Sequence, residues 1–99
     1  MNFEWDENKC CQNLKKHGVD FGEAALVVAS APVILEDDRR DYGEPRYLAF
    51  GEMEGLLFVV SFTFREEAIR LISARRGNIR ERKRYEERLR QKNNQFDSG

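Results

Sequence analysis

The sequence predicts an α+β fold of two short N-terminal helices, a mainly antiparallel sheet of about four strands, and a C-terminal helix. Three observations predict it. Capping signals delimit the first thirty residues into two helical segments, the hydrophobic period changes from helical to extended near Val33, and it returns to helical after Asn78. Ninety-nine residues with 40% hydrophobic content suffice for one core and not for two, so residues 1–92 are expected to form a single domain and residues 93–99 a frayed polar tail.

Asp6 is suited to cap a first helix running through Asn8, Cys11, Leu14 and Lys15, with Lys16 and His17 in the dipole-favoured last turn and Gly18 as the stop. Asp20 and Glu23 have capping-box spacing, and a second helix is expected from about Phe21 to Ala29, with Phe21, Ala25 and Val28 on one stripe. Pro32 ends it. Val33–Leu35 and Arg46–Gly51 read as strands flanking the charged segment from Glu36 to Glu44. Leu56–Phe64 is rich in β-branched and aromatic residues and reads as a central strand. Ala68–Arg76 reads as the last strand, with Ile69, Leu71 and Ser73 facing opposite to Arg70, Ile72 and Ala74. Asn78 and Glu81 form another capping-box pair, followed by Ile79, Arg82, Tyr85, Glu86 and Leu89 at helical intervals to about Lys92. The helices are expected to cover one sheet face and leave the other open for function.

The longest apolar run, Leu56–Phe64, falls far short of the roughly 20 residues that span a bilayer. The N-terminal residues lack the basic flank and apolar core of a secretory signal, so a cytoplasmic location with reduced cysteines is expected. Cys10 and Cys11 are adjacent, without a second pair or nearby histidine cluster, and imply neither a disulfide framework nor a zinc site. Asp37 and Asp38 are contiguous and lack the convergent arrangement of a magnesium site, so no metal or other cofactor is expected.

The net charge of -1 conceals a strong asymmetry: residues 1–67 carry a net -7 and residues 68–99 a net +6. Nine basic residues fall in the eighteen positions from Arg75 to Lys92. One reading is a solvated helix face laced with ion pairs, such as Glu81 beside Arg84 or Glu86 beside Arg90. That reading leaves Arg75 and Arg76, adjacent at a strand exit, repelling each other unless an anion joins them.

His17, the sole histidine, serves either as a helix C-terminal cap or as a proton-transfer group, with Lys16 available to neutralise a phosphate. In the charged loop, Arg39, Arg40 and Arg46 either clamp phosphate or are held by Asp41 and Glu44, and Tyr42 either stacks on a base or packs over the sheet. Tyr85, with Arg82 and Arg88 three positions to either side, would act as a general base only if those guanidiniums lowered its pKa; otherwise it anchors the core. Glu81, in the first turn of the basic helix, is a competing base.

Four ordered motifs, Phe3–Lys9, Asn13–Phe21, Asp37–Glu44 and Ile72–Arg76, closely resemble the BrnT family of bacterial toxins. The resemblance implies a RelE-like fold and a metal-independent ribonuclease of a type II toxin-antitoxin module that arrests translation. It implies a cognate BrnA-like antitoxin that neutralises the toxin and binds operator DNA, which the toxin would contact only indirectly, and a toxin dimer or a heterotetramer with the antitoxin. It carries over His17, Arg39, Arg40, Arg75 and Arg76. On this reading Arg75 and Arg76 bind the scissile phosphate, Arg39 or Arg40 a neighbouring one, and His17 shuttles a proton, while Lys16, Tyr42, Arg46 and Arg82 add substrate contacts. Glu7 replaces the usual proline after the Trp-Asp pair, a change that a helix's first turn accommodates.

Overall fold

The computed structural model describes the backbone of residues 2–97 and the side chains of residues 2–92. The chain runs β1 (Asn2–Glu4), α1 (Glu7–His17), α2 (Phe21–Ser30), β2 (Val33–Glu36), β3 (Tyr47–Met53), β4 (Leu56–Arg65), β5 (Ala68–Arg76) and α3 (Ile79–Asp97). The helices start where the capping residues place them. Asp6 accepts from the backbone N–H of Asn8 at 2.8 Å and of Lys9 at 3.2 Å, and Gly18, at φ 71°, closes α1 by donating to the Leu14 carbonyl at 2.9 Å. In α3 the box is reciprocal: Glu81 N–H donates to Asn78 Oδ1 at 2.8 Å and Asn78 N–H to Glu81 Oε1 at 2.9 Å.

The sheet has five strands in the order β1-β5-β4-β3-β2. Strands β2 to β5 form the expected antiparallel meander. The fifth strand, β1, corrects the expected count of about four: Asn2, Phe3 and Glu4 pair in parallel with Ala68, Ile69 and Arg70. Three residues are too few to show a period, and their partner lies at the far end of the chain, so nothing local marks them as a strand.

The buried side chains of α1 are Cys10 and Asn13, while Cys11 and Leu14 are exposed, because the helix turns toward β5 the face that carries an amide. Two other expectations are corrected. In α2 the buried stripe is Phe21, Ala24, Val27 and Val28, one position off the expected Ala25. The helices also divide between the sheet faces. Helices α1 and α2 pack with Ala49, Val60, Phe62, Ile69, Leu71 and Ala74 in the larger core, whereas Tyr85 of α3, flanked by Leu89, packs with Val33, Phe50, Leu57 and Val59 on the opposite face. Complete burial of Phe21, Phe62 and Leu71 contributes about 1.5–3 kcal/mol apiece and fixes the larger core.

The alternation along β5 departs from the sequence expectation at one residue. Ser61 pairs with Ser73 and Phe62 with Leu71, so Ile72 is skipped as a bulge. Beyond the bulge the parity inverts: Ala74 joins Ile69 and Leu71 in the larger core, and Ser73 and Arg75 point to the α3 side. Gly77 then turns the chain onto α3, donating to the Leu57 carbonyl at 2.8 Å. A Cβ there would lie 2.5 Å from Leu57 Cδ2, which is why the strand-to-helix junction reads Arg-Gly-Asn. Helix α3 runs to Asp97, past the expected end at Lys92, while Ser98 and Gly99 of the expected tail lie outside the described residues.

Candidate functional site

Helix α3 covers the β2, β3 and β4 side of its face and leaves the part formed by Ser61, Ile72, Ser73 and Arg75 uncovered. A recess of about 140 Å³ opens there, lined also by Asp37, Arg39, Tyr42 and Arg46 from the loop between β2 and β3. The bulge at Ile72 puts Arg75 into this recess, and the fold of the loop brings Arg39 to meet it.

Asp37 organises the loop. Its side chain is only 2% exposed and accepts from Arg39 Nε at 2.8 Å, Arg39 Nη2 at 2.9 Å, the Arg39 backbone N–H at 3.3 Å and the Tyr42 hydroxyl at 3.0 Å. The Asp37 backbone N–H donates to the Arg46 carbonyl at 2.7 Å, which ties the two ends of the loop together. The Arg39 fork holds the Asp37 carboxyl down at about 2, against the opposing effect of burial, and Asp37 in turn raises the pKa of Arg39. Sequence reading weighed Asp37 only as a metal ligand. Its actual partners, two and five residues on, are Arg39 and Tyr42, a local pattern visible in the sequence once a buried carboxylate is assumed.

A second bidentate pair faces the first. Arg75 Nη1 and Nη2 donate to Glu81 Oε1 and Oε2, each at 2.8 Å. Bonding to Arg75 lowers the pKa of Glu81 and that to Glu81 raises the pKa of Arg75, while the positive charge of Arg39 opposes the rise at Arg75. Glu81 therefore holds two roles, capping α3 and neutralising Arg75, and it lines the neighbouring cleft between α3 and the β2–β3 pair and not the recess itself. The ion-pair ladder expected within α3 does not form as drawn, since Glu81 takes Arg75 in place of Arg84, and Glu86 lies 4.0 Å from Arg82 and not beside Arg90.

Arg46 lies with its guanidinium carbon 4.1 Å from the centroid of the Tyr42 ring, and that of Arg40 lies at 5.8 Å. The buried Nε of Arg46 makes no hydrogen bond; its nearest carboxylate oxygen, on Glu44, is 3.8 Å away. It is thus a donor shut off from solvent with no acceptor among the described residues, although other atoms of Arg46 line the recess.

The remaining expected site residues do not converge here. Arg76 is exposed and pairs across the sheet with Phe58, so its side chain leaves on the opposite face from Arg75, and the two guanidiniums do not form one clamp. Lys16 and His17 end α1 on the side of the larger core and do not line the recess. Tyr85 is buried in the smaller core and its pKa is raised, chiefly by desolvation, the opposite of what a base would need. Arg82 fastens α3 to the β3–β4 hairpin through Glu52 of β3 at 3.2 Å and the Gly55 carbonyl of the turn at 3.0 Å.

Sequence reading also missed Asn13. Its buried amide donates to the Val19 and Ala74 carbonyls, both at 2.9 Å, and accepts from the Ala74 N–H at 3.0 Å. Beyond Arg70, where β1 ends, Asn13 thus takes the place of a neighbouring strand beside β5, next to Arg75. A polar residue one turn after Cys10 was the available signal.

Among the described residues, no group of three or more His, Cys, Asp or Glu side chains could hold a metal ion, and no helix is long and apolar enough to cross a membrane. Among curated proteins no match to the sequence is found. Residues 5–81 match the model of a family described as the ribonuclease toxin, BrnT, of type II toxin-antitoxin systems. The match runs from α1 through the first turn of α3 and ends at Glu81, so it takes in both carboxylate-guanidinium pairs and omits Arg82 and Tyr85. With more than half of the chain matched and the charged recess inside the matched region, the chain belongs to the BrnT ribonuclease-toxin family of type II toxin-antitoxin systems.

Proposed function

We propose that this chain is the toxin of its module, an endoribonuclease that works without a metal ion on a RelE-like scaffold. It inhibits translation by cutting RNA in the cytoplasm, is neutralised by a cognate BrnA-like antitoxin, and meets operator DNA only through that partner. The observation that carries the reading is the pair of guanidiniums, Arg39 and Arg75, held by separate carboxylates around one recess. Such preorganised cations suit the extra charge that a phosphodiester gains as a 2'-oxygen attacks it.

In this mechanism the RNA 2'-oxygen bonds to the adjacent phosphorus and the bond to the 5'-oxygen breaks, leaving a 2',3'-cyclic phosphate and a 5'-hydroxyl. Arg75 and Arg39 stabilise the pentavalent intermediate. Glu81 accepts the proton from the 2'-hydroxyl, and solvent water supplies the proton that the departing 5'-oxygen takes up. A phosphate that draws Arg75 away removes the largest cause of the low Glu81 pKa, so substrate binding itself makes the carboxylate a stronger base. Tyr42, under the Arg46 guanidinium, supplies an aromatic face for a neighbouring base.

The test is incubation of purified, antitoxin-free protein with a defined single-stranded RNA in a chelator, followed by sequencing of the ends. New cyclic-phosphate ends are expected. RNA that is bound but stays intact at high protein concentration would instead mark a non-catalytic RNA-binding regulator, and unbound RNA a protein-interaction module.

A further inference from the structure

A second and larger cleft, of about 500 Å³, lies between α3 and the β2–β3 pair. Its floor is apolar. Val33 pairs with Phe50 and Leu35 with Leu48, so the four side chains share one face of the sheet. Its α3 wall includes Arg84 and Arg88, neither of which forms a salt bridge among the described residues. Arg39 and Glu81 stand at the junction, since both line this cleft and Arg39 also lines the smaller recess with Arg75.

We infer that this cleft is a nucleobase subsite, taking the base attached to a phosphate held at Arg39 and Arg75. The occupant is identified by the order of chemistry across the surface. A cationic recess for a phosphate leads directly into a cleft with a flat hydrocarbon floor and guanidinium planes on one wall, and an anionic chain bearing stacked planar rings repeats that order. The volume suits a ligand of nucleotide size. The lining carries three arginines, Arg39, Arg84 and Arg88, against two carboxylates, Glu81 and Glu87, and this positive excess favours an anionic polymer over an apolar peptide segment.

The inference rests on the ribonuclease reading only for the phosphate at the mouth, and its test does not require cleavage. A 2'-O-methylated tetranucleotide, which lacks the attacking hydroxyl, is titrated into the full chain and compared with the same oligonucleotide carrying an abasic internal position. The expected result is about tenfold weaker binding of the abasic form, with methyl resonances of Val33, Leu35 and Leu48 moved only by the intact one. Leu35→Trp, which fills the half-buried floor, is expected to remove the difference while leaving binding of the abasic form unchanged. Equal affinities with silent methyl resonances overturn the subsite, as does a methyl response to an apolar partner helix and not to RNA. Base-dependent binding without cleavage of ordinary RNA leaves the subsite standing and refutes the nuclease reading alone.

Discussion

The two faces of the sheet solve different problems. On the α1 and α2 side, strand residues from Ala49 to Ala74 meet apolar helix residues and the face closes into a core without charge. On the α3 side, Tyr85 of the helix and four apolar strand residues make a smaller core, and the rest of the face carries Ser61, Ser73, Arg75 and the loop with Arg39 and Asp37. The first face gives stability, and the second holds the recess to which the proposed chemistry is assigned. One skipped residue, Ile72, decides which side receives Arg75.

Breaking that division at Arg75 has the largest expected effect. Arg75→Ala is expected to slow RNA cleavage by about 10²–10³-fold with the fold retained, measured as a single-turnover rate beside circular dichroism. Cleavage within about threefold of the parent would show that the uncovered part of the face is not the reactive surface.

Asn13 sharpens the comparison, because it sits with the stable face yet supports the strand that presents Arg75. Asn13→Ala leaves the Ala74 N–H and two carbonyls without their partners and is expected to cost about 2–4 kcal/mol in denaturant unfolding. A cost well below about 1 kcal/mol would mean that water replaces the amide.

The charged loop predicts acid sensitivity. The Asp37 carboxyl is lowered from 3.8 to about 2 in the folded chain. Its contribution is therefore fully present above the unfolded value and is lost as pH falls from about 4 toward 2. Because Arg39 is 65% exposed, about 1–2 kcal/mol is expected, seen as a steeper loss of stability over that window than in Asp37→Asn. Equal slopes would show that the pair adds nothing.

The smallest effect is expected at His17. Since it ends α1 on the far side of the sheet, His17→Gln is expected to change cleavage by no more than about threefold and to leave the pH-rate profile in place. A tenfold loss would route the proton around the sheet edge and replace Glu81 as its acceptor.

Much of the fold was legible locally. Asp6, Asp20, Gly18, Pro32 and Asn78 mark element ends because caps and breakers act on their immediate neighbours, and the four antiparallel strands follow from runs of β-branched and aromatic residues. Strand β1 was not legible, because a three-residue strand is defined by its partner and not by its own pattern. Of the candidate site, the loop arginines and the Arg75–Glu81 region were readable as charge density. Which carboxylate holds which guanidinium was not, since Asp37 and Glu81 act through burial and approach.

The sequence by itself determined the order of helices and strands, the capping of α3 by Asn78 and Glu81, and the segregation of negative and positive charge along the chain. Tertiary structure alone decided that α3 crosses to the second face, that Arg75 and Arg76 part company, and that Arg39 meets Arg75 across a recess. The physical reason is range. Caps and hydrophobic periods are set within a few residues, whereas the facing of a side chain after a bulge and the meeting of two distant cations depend on how the whole sheet pairs.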